Sequence, residues 1–492
     1  MDKLFDVVIK NARVVRPNKT SVDCLDIGVK DGIIARLAPE LRAEDAKDVF
    51  DAKNRLAFPG CVDAHMHIGI YAPLAQDAVS ESKAAAMGGV TSSLNYLRTG
   101  HYYLNRGGSY RDFMPEVHRQ AEGNFWVDYG FHIAPIESAH IDEMDYLMGQ
   151  GIPSFKIFMF YGGYGLHGAS SQQNEFLMIG PDDRYDIAHF EFIMRGAQRL
   201  MEKYPDKAAH ISVSLHCELA EILLAYTKIV EREGRLTGLK AYSAARPPHS
   251  EGLAIWIASY LANETKCLNI NLLHLSSRKA IDAAWTMQQV FPHIAFRREV
   301  TVGHLLLDTD CECAVHAKVN PPIRPRADVE ALWQAVLDRK IDWICSDHAC
   351  CSAEQKWSKD DPENIWLAKS GFGGTEYLLS VVLSEGSKRG MSYNHMAELL
   401  SWKPAQRFGL PSKGDIAPGY DADIVIVDPL EKFVVHAAES ESVQGYTPFE
   451  GVELHGRVKS TFLRGALVYD NGNVVGPARG KYLRRPEPAR KQ

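Results

Sequence analysis

The chain has 492 residues, 46% hydrophobic and 24% charged, with a formal net charge of −7. That length exceeds one simple core and predicts a large domain with a smaller companion. The acidic balance argues against nucleic acid or an anionic membrane as partner. No apolar run approaches the ~18 residues of a membrane span, MDKLFDVVIKNARVV lacks an apolar leader, and nine scattered cysteines read as reduced thiols, so a cytoplasmic protein is expected.

In chain order, residues 1–55 read as short strands and turns. FDVVIKNARVV and DIGVKDGIIARL are β-rich, with Asp31-Gly32 as a hairpin signal. Residues 56–410 alternate. Strand-like runs at 56–67, 89–97, 126–134, 152–161, 211–216, 268–275, 294–300 and 340–347 are separated by helical patterns. The clearest helices are 79–88, 188–204, 219–233, 277–290 and 327–338. Strands and helices in this alternation predict an α/β chain with a (β/α)8 barrel. Residues 411–475 return to β-rich sequence (DADIVIVD, VKSTFLRGALVYDNGNVV), so both ends would build one small β domain. The basic segment 476–492 is either an arm over a neighbouring subunit or loosely ordered.

Metal-binding residue types gather at the strand ends. In CVDAHMHIGI, His65 and His67 are two residues apart, so a strand would aim both imidazoles to one side. Lys156 sits in the fourth run, His216 ends the fifth, His274 lies near the end of the sixth, and Asp347 ends the eighth. A barrel brings all these ends to one face, the face that carries chemistry. Lys156 lies between Phe155 and Ile157. It is either a snorkelling barrel lysine or a buried amine of lowered pKa, able to take up carbon dioxide as a carbamate. Asp63 would orient a ligand imidazole. His348, adjacent to Asp347, would point the other way and be structural, as would His101, His167 and His189.

The motifs PGCVDAHMH, VDYGFHIAP, SFKIFMFY, LHCE, LLHLSS, KVNPPIR and SDHAC, with WKPAQRFGL and KGDIAPGYDADIVIVD, resemble the cyclic amidohydrolases. That group includes dihydropyrimidinase, hydantoinase, allantoinase and dihydroorotase. The resemblance implies a TIM-like barrel, a β-sandwich formed by both termini, and two zinc ions, with manganese or cobalt also acceptable to these ligands. It implies that His65, His67 and Asp347 hold one metal, that His216 and His274 hold the other, and that carboxylated Lys156 bridges both. A bridging hydroxide would attack the ring amide, with Asp347 shuttling the proton and Tyr161 stabilising the oxyanion. Asn320 and Thr301 would hold the substrate's amide edge, and homodimers or homotetramers would be the expected assembly.

The substrate would be a small cyclic amide or ureide, and VDYGFHIAP and SFKIFMFY lean towards dihydropyrimidines and 5-substituted hydantoins. No arginine follows the HxH pair, so an anionic ring is disfavoured unless Arg98 supplies the charge. The stretch Glu299–Leu305 and the glycine-rich loop 162–176 depart from the hydantoinase pattern. They leave open an allantoinase, a dihydroorotase or a cyclic imide hydrolase. Ile68, Ile70, Tyr71, Phe158, Phe160 and Tyr164 would line an apolar pocket or simply fill the barrel. A ligand-less binding homologue and a mononuclear deaminase are the other classes. The filled ligand set argues against the first and the SFK lysine against the second.

Overall fold

The computed structural model describes residues 3–162 and 173–488. Eight parallel strands pair in chain order: Cys61–Met66, Val90–Leu97, Asp128–Ile133, Ser154–Phe158, Ser212–His216, Asn269–Leu272, Ala295–Thr301 and Trp343–Cys345. The ring closes where Met66 bridges His348 and the His67 N–H donates to the His348 carbonyl at 2.7 Å. Apart from Ala295 and Arg297, every residue of these strands is buried. Helices cover the outside while side chains fill the inside, which is why the strands read as near-continuous apolar runs. The run expected at 294–300 is the strand Ala295–Thr301.

The helices Ile187–Lys203, Ala220–Glu233, Arg278–Val290 and Arg326–Leu337 fall within one residue of the expected ends. Their start signals are explicit. The Asp186 side chain accepts from the Ala188 and His189 N–H groups, and Ser277 accepts from Ala280. The expected helix 79–88 begins earlier, as Leu74–Met87. Among the described residues, no helix is long and apolar enough to cross a membrane.

The run 56–67 is two strands. Leu56–Pro59 pairs with Phe5–Val15 and Ile424–Val434 in the terminal sheet, whereas Cys61 begins the barrel. Gly60 is the junction: its N–H donates to the Asp423 carbonyl at 2.9 Å, and a Cβ there would overlap Thr91. The separate sheet has nine strands drawn from both ends of the chain. Lys413, 2% exposed, joins it to the barrel. Its Nζ lies 2.7 Å from Asp128 at the start of the third barrel strand, 2.7 Å from Asp423 and 3.1 Å from Asp421.

Two expectations are corrected. The basic segment is neither loose nor reaching outward, at least as far as Glu487. The Gly480 N–H donates to Phe125, Lys481 accepts from Tyr129 and Leu483 donates back to Tyr129, which adds the tail to the third barrel strand. Arg485 is buried and donates to the Phe131 carbonyl and the Ser154 hydroxyl. Backbone groups at the bottom of the barrel need partners, and the tail supplies them. The second correction concerns the cysteines. Cys311 and Cys313, with Cα atoms 5.4 Å apart in a tight turn, form a disulfide, and seven others are free.

Candidate active site

The strand ends converge as the alternation requires. His65 Nε2 lies 3.2 Å from His67 Nε2, 3.1 Å from Asp347 Oδ1 and 2.9 Å from Lys156 Nζ. His67 Nε2 is 3.3 Å from the same Asp347 oxygen. The His274 ring centroid is 5.4 Å from that of His65 and 4.3 Å from that of His216. His274 and Asp347 sit at φ 33° and 54°, in the left-handed region that bulky residues avoid. Such strain persists where the surroundings over-determine it, and it concentrates at functional sites.

Burial sets the protonation. It holds the His67 imidazole at about 3, with Lys156 adding to the effect, and His216 at about 4, so both rings are neutral. Burial also lowers the Lys156 amine to about 8, and Lys156 is 1% exposed, so its head does not snorkel to water. Burial opposes ionisation of Asp347, but His65, His67 and Lys156 around it hold its carboxyl well below the usual range.

Three further residues orient the imidazoles. Glu299 Oε1 meets His65 Nδ1 at 2.7 Å and accepts the His274 N–H at 2.9 Å, while Oε2 accepts from Trp343 Nε1 at 2.7 Å. Tyr103 Oη meets His67 Nδ1 at 2.6 Å. Glu218 Oε2 meets His216 Nε2 at 2.7 Å and is itself gripped by Arg246. With Nδ1 facing Glu299, His65 turns Nε2 towards the Asp347 carboxylate, a second imidazole and the Lys156 amine. Among the described residues, His274 Nδ1 is buried with no hydrogen-bond partner. Lone pairs crowded in this way suit a cation, and the chemistry of the set — imidazole, carboxylate and a lysine able to become an anionic carbamate — fits divalent metal ions. His65, His67 and Asp347 each offer an atom within 4.8 Å of the others.

A cavity opens over this set, floored by His67, Lys156, His216, His274 and Asp347. Ile70, Tyr71, Tyr103, Phe158, Phe160 and Tyr161 wall it, and Asn320, Ser370 and Gly371 form a polar edge. Asn320 Oδ1 accepts from Tyr242 Oη at 2.5 Å. Thr301 stands apart from the cavity lining: its hydroxyl meets His304 Nδ1 at 2.7 Å and caps the helix Val302–Leu306. Ile68 is fully buried, and Tyr164 and most of the glycine-rich loop lie outside the described residues.

Asp63 does not orient an imidazole. Its carboxylate accepts from the Ser346 N–H and hydroxyl and from Thr375, tying down the chain just before Asp347. The orienting carboxylate is Glu299, 234 residues from His65. Sequence reasoning missed Glu299 and Tyr103, which carry no local signal. Glu218, two residues after His216 in LHCE, could have been found by the same alternation that aligns His65 with His67. His348 points away, as expected, its Nε2 2.7 Å from Glu81.

The amidohydrolase family model matches residues 56–468. An allantoinase of Rubrobacter xylanophilus is 30% identical over 486 residues, covering 98% of each chain. An allantoinase of Escherichia coli O1:K1 is 32% identical over 486 residues, covering 97% of this chain and 98% of its own. Among solved structures, the dihydropyrimidinase of Brevibacillus agri superposes with a TM-score of 0.82 at 26% identity, covering 98% of this chain and 99% of its own. The L-hydantoinase (dihydropyrimidinase) of Arthrobacter aurescens superposes with a TM-score of 0.83 at 26% identity, covering 97% and 99%.

Proposed function

The chain belongs to the amidohydrolase family, as a hydrolase of carbon–nitrogen bonds in cyclic amides, and from that premise we propose that it opens the ring of a neutral 5-substituted hydantoin. The allantoinase relatives and the hydantoinase-like structures support one ring, because allantoin is a hydantoin carrying a ureido group at C5. The observation that carries the reading is the cavity: its floor is the ligand set, while among the described residues its walls are aromatic and aliphatic with neutral polar groups at the edge. Among the described residues, that lining offers a carboxylate-bearing ring no cation outside the ligand set. A dihydropyrimidine, also neutral, is the second reading, favoured by the structural neighbours.

His65, His67 and Asp347 would hold one divalent cation, His216 and His274 a second, and Lys156, as a carbamate formed from carbon dioxide, would face both. Zinc suits these ligands, as do manganese and cobalt. Such ions polarise the scissile carbonyl and bring the pKa of water from 15.7 towards about 7. The protein does the rest. Asp347 takes the proton of the attacking water and delivers it to the ring nitrogen as the C–N bond breaks, leaving a ureido acid. Tyr161 donates to the oxygen that becomes negative as the carbonyl carbon turns tetrahedral. Asn320, fixed by Tyr242, meets the amide edge of the ring, and the apolar wall excludes bulk water.

The test is ring opening by protein loaded with zinc in bicarbonate. The panel is allantoin, a 5-aryl hydantoin, dihydrouracil, dihydroorotate and a cyclic imide, with Lys156→Ala as control. Turnover of a hydantoin, lost in the control, is expected. Turnover of dihydroorotate alone would overturn the neutral-ring reading.

A further inference from the structure

We infer that Arg98 is a positioning residue that holds two phenols, Tyr161 and Tyr103, in working orientation. The inference rests on the reading above, in which Tyr161 stabilises the oxyanion.

Arg98 follows the second barrel strand and is fully buried. Buried cations are normally paired with carboxylates. Among the described residues, Arg98 has no acidic hydrogen-bond partner. Nε donates to Tyr161 Oη at 3.2 Å, Nη1 donates to the carbonyls of Thr99 at 2.9 Å and His101 at 3.0 Å, and Nη2 has no partner among the described residues. Three aromatic rings surround the guanidinium instead, with Cζ 5.4 Å from Tyr103, 5.3 Å from Tyr161 and 4.7 Å from Phe176. An unpaired buried cation costs stability, so its place beside the substrate cavity calls for a functional reason.

The hydrogen-bond chemistry supplies one. A guanidinium only donates. The Tyr161 oxygen must therefore accept from Arg98, and its own proton is turned away from Arg98. The phenol lines the cavity, so this arrangement favours Tyr161 as a donor to substrate. Burial raises the phenol's pKa, and the charge of Arg98 works against that rise, which makes the phenol a stronger donor.

The second link runs through the backbone. The two carbonyls held by Arg98 begin the turn that presents Tyr103. Around Tyr103, Tyr102, Leu104 and Asn105 have φ of 80°, 56° and 45°; asparagine tolerates that region, but the tyrosine and the leucine avoid it. Arg98 clamps the entry to this turn, the Gly100 N–H pairs with the Arg106 carbonyl at 2.7 Å, and Asn105 Oδ1 accepts the Tyr102 N–H at 2.8 Å. The strained turn delivers Tyr103 Oη to His67 Nδ1. One guanidinium thus ties a phenol above the reacting carbonyl to a phenol behind a candidate metal ligand.

The experiment is a double-mutant cycle on zinc-loaded, full-length protein with the hydantoin that the wild type opens. Arg98→Met, Tyr161→Phe and the double variant are compared by kcat, KM, melting temperature and zinc retained against a chelator. Arg98→Lys, which keeps the charge but not the fork, is run alongside in case Arg98→Met does not fold. Arg98→Met should lower kcat by about tenfold to a hundredfold, no more than the low end of the roughly 10²–10³-fold loss of a whole oxyanion donor because the phenol itself remains, with KM little changed. On the Tyr161→Phe background it should have almost no further effect on kcat. Zinc retention should fall by about tenfold through Tyr103 and His67, and Arg98→Lys should restore activity only in part. Equal kcat losses on both backgrounds, or a rise in the KM of the hydantoin with kcat unchanged, would overturn the proposal; the second would mean that Arg98 contacts the substrate directly. If Tyr161→Phe alone leaves kcat unchanged, the oxyanion reading of Tyr161 falls. Wild-type zinc retention in Arg98→Met would then overturn the Tyr103 link as well.

Discussion

Glu299→Gln removes one charge from behind the ligand set with almost no change of shape. The carboxylate serves three donors: His65 Nδ1 and the His274 N–H on Oε1, and Trp343 Nε1 on Oε2. A glutamine can face its oxygen to the first two or to the third. The first choice leaves one donor, Trp343, opposite an NH2 group; the second leaves two. The first therefore wins, at about 1–3 kcal/mol for a buried unsatisfied donor. The remaining bond to His65 is no longer charge-assisted and weakens. Loss of such an orienting partner typically lowers metal affinity ~10–100-fold, which is about 1.4–2.8 kcal/mol at 1.4 per tenfold. The assay is zinc bound per chain under increasing chelator, with a thermal melt of the same samples. Glu299→Gln should lose zinc earlier and melt lower, and Glu299→Ala, which strands all three donors, should do worse. A Glu299→Gln protein that retains zinc and melts like wild type would refute the claim that this carboxylate orients His65.

Lys413→Met should destabilise the junction of barrel and terminal sheet by about 3–5 kcal/mol, because three buried carboxylates lose their shared cation; denaturant titration reads this, and an unchanged midpoint would contradict it. Lys356 is buried, donates to the carbonyls of Lys318 at 3.0 Å and Gly371 at 2.7 Å, and burial lowers its pKa from 10.5 to about 7. The unfolded chain therefore binds the extra proton between those values, and the group's contribution to stability is full above 10.5 and is lost as pH falls to 7. The stability difference between wild type and Lys356→Met should change in favour of wild type as pH rises from 7 towards 10, and a difference independent of pH would refute the lowered pKa. Alkylation of the denatured, unreduced protein should label seven cysteines and leave Cys311 and Cys313 protected until a reductant is added; nine labels without reductant would show an open pair.

Much of the barrel was legible in the residues. The helix ends at Asp186 and Ser277 carry their own caps, and the period of two in His65 and His67 places both rings on one side of a strand. The run at 294–300 is likewise a strand, Ala295–Thr301. What misled was continuity. The run 56–67 looks like one strand because both halves are apolar, yet Gly60 passes it from one sheet to another through contacts with Thr91 and Asp423 that are distant in the chain. The basic tail misled for a similar reason. It reads as an arm over a neighbour or a loose end until the bottom of the barrel is in place to bury Arg485.

The identity and strand position of His65, His67, Lys156, His216, His274 and Asp347 were decided by the sequence alone, because side-chain alternation and apolar context act over a few residues. The partners of those groups were decided only by tertiary structure. Glu299 rather than Asp63 faces His65 because the seventh strand, not the first, brings a carboxylate to that imidazole. Tyr103 reaches His67 only through a strained turn clamped by Arg98. Local pattern fixes which way a side chain points; what it meets depends on how strands hundreds of residues apart close into one ring, and the cost of leaving a buried donor or charge unanswered selects the partner once they do.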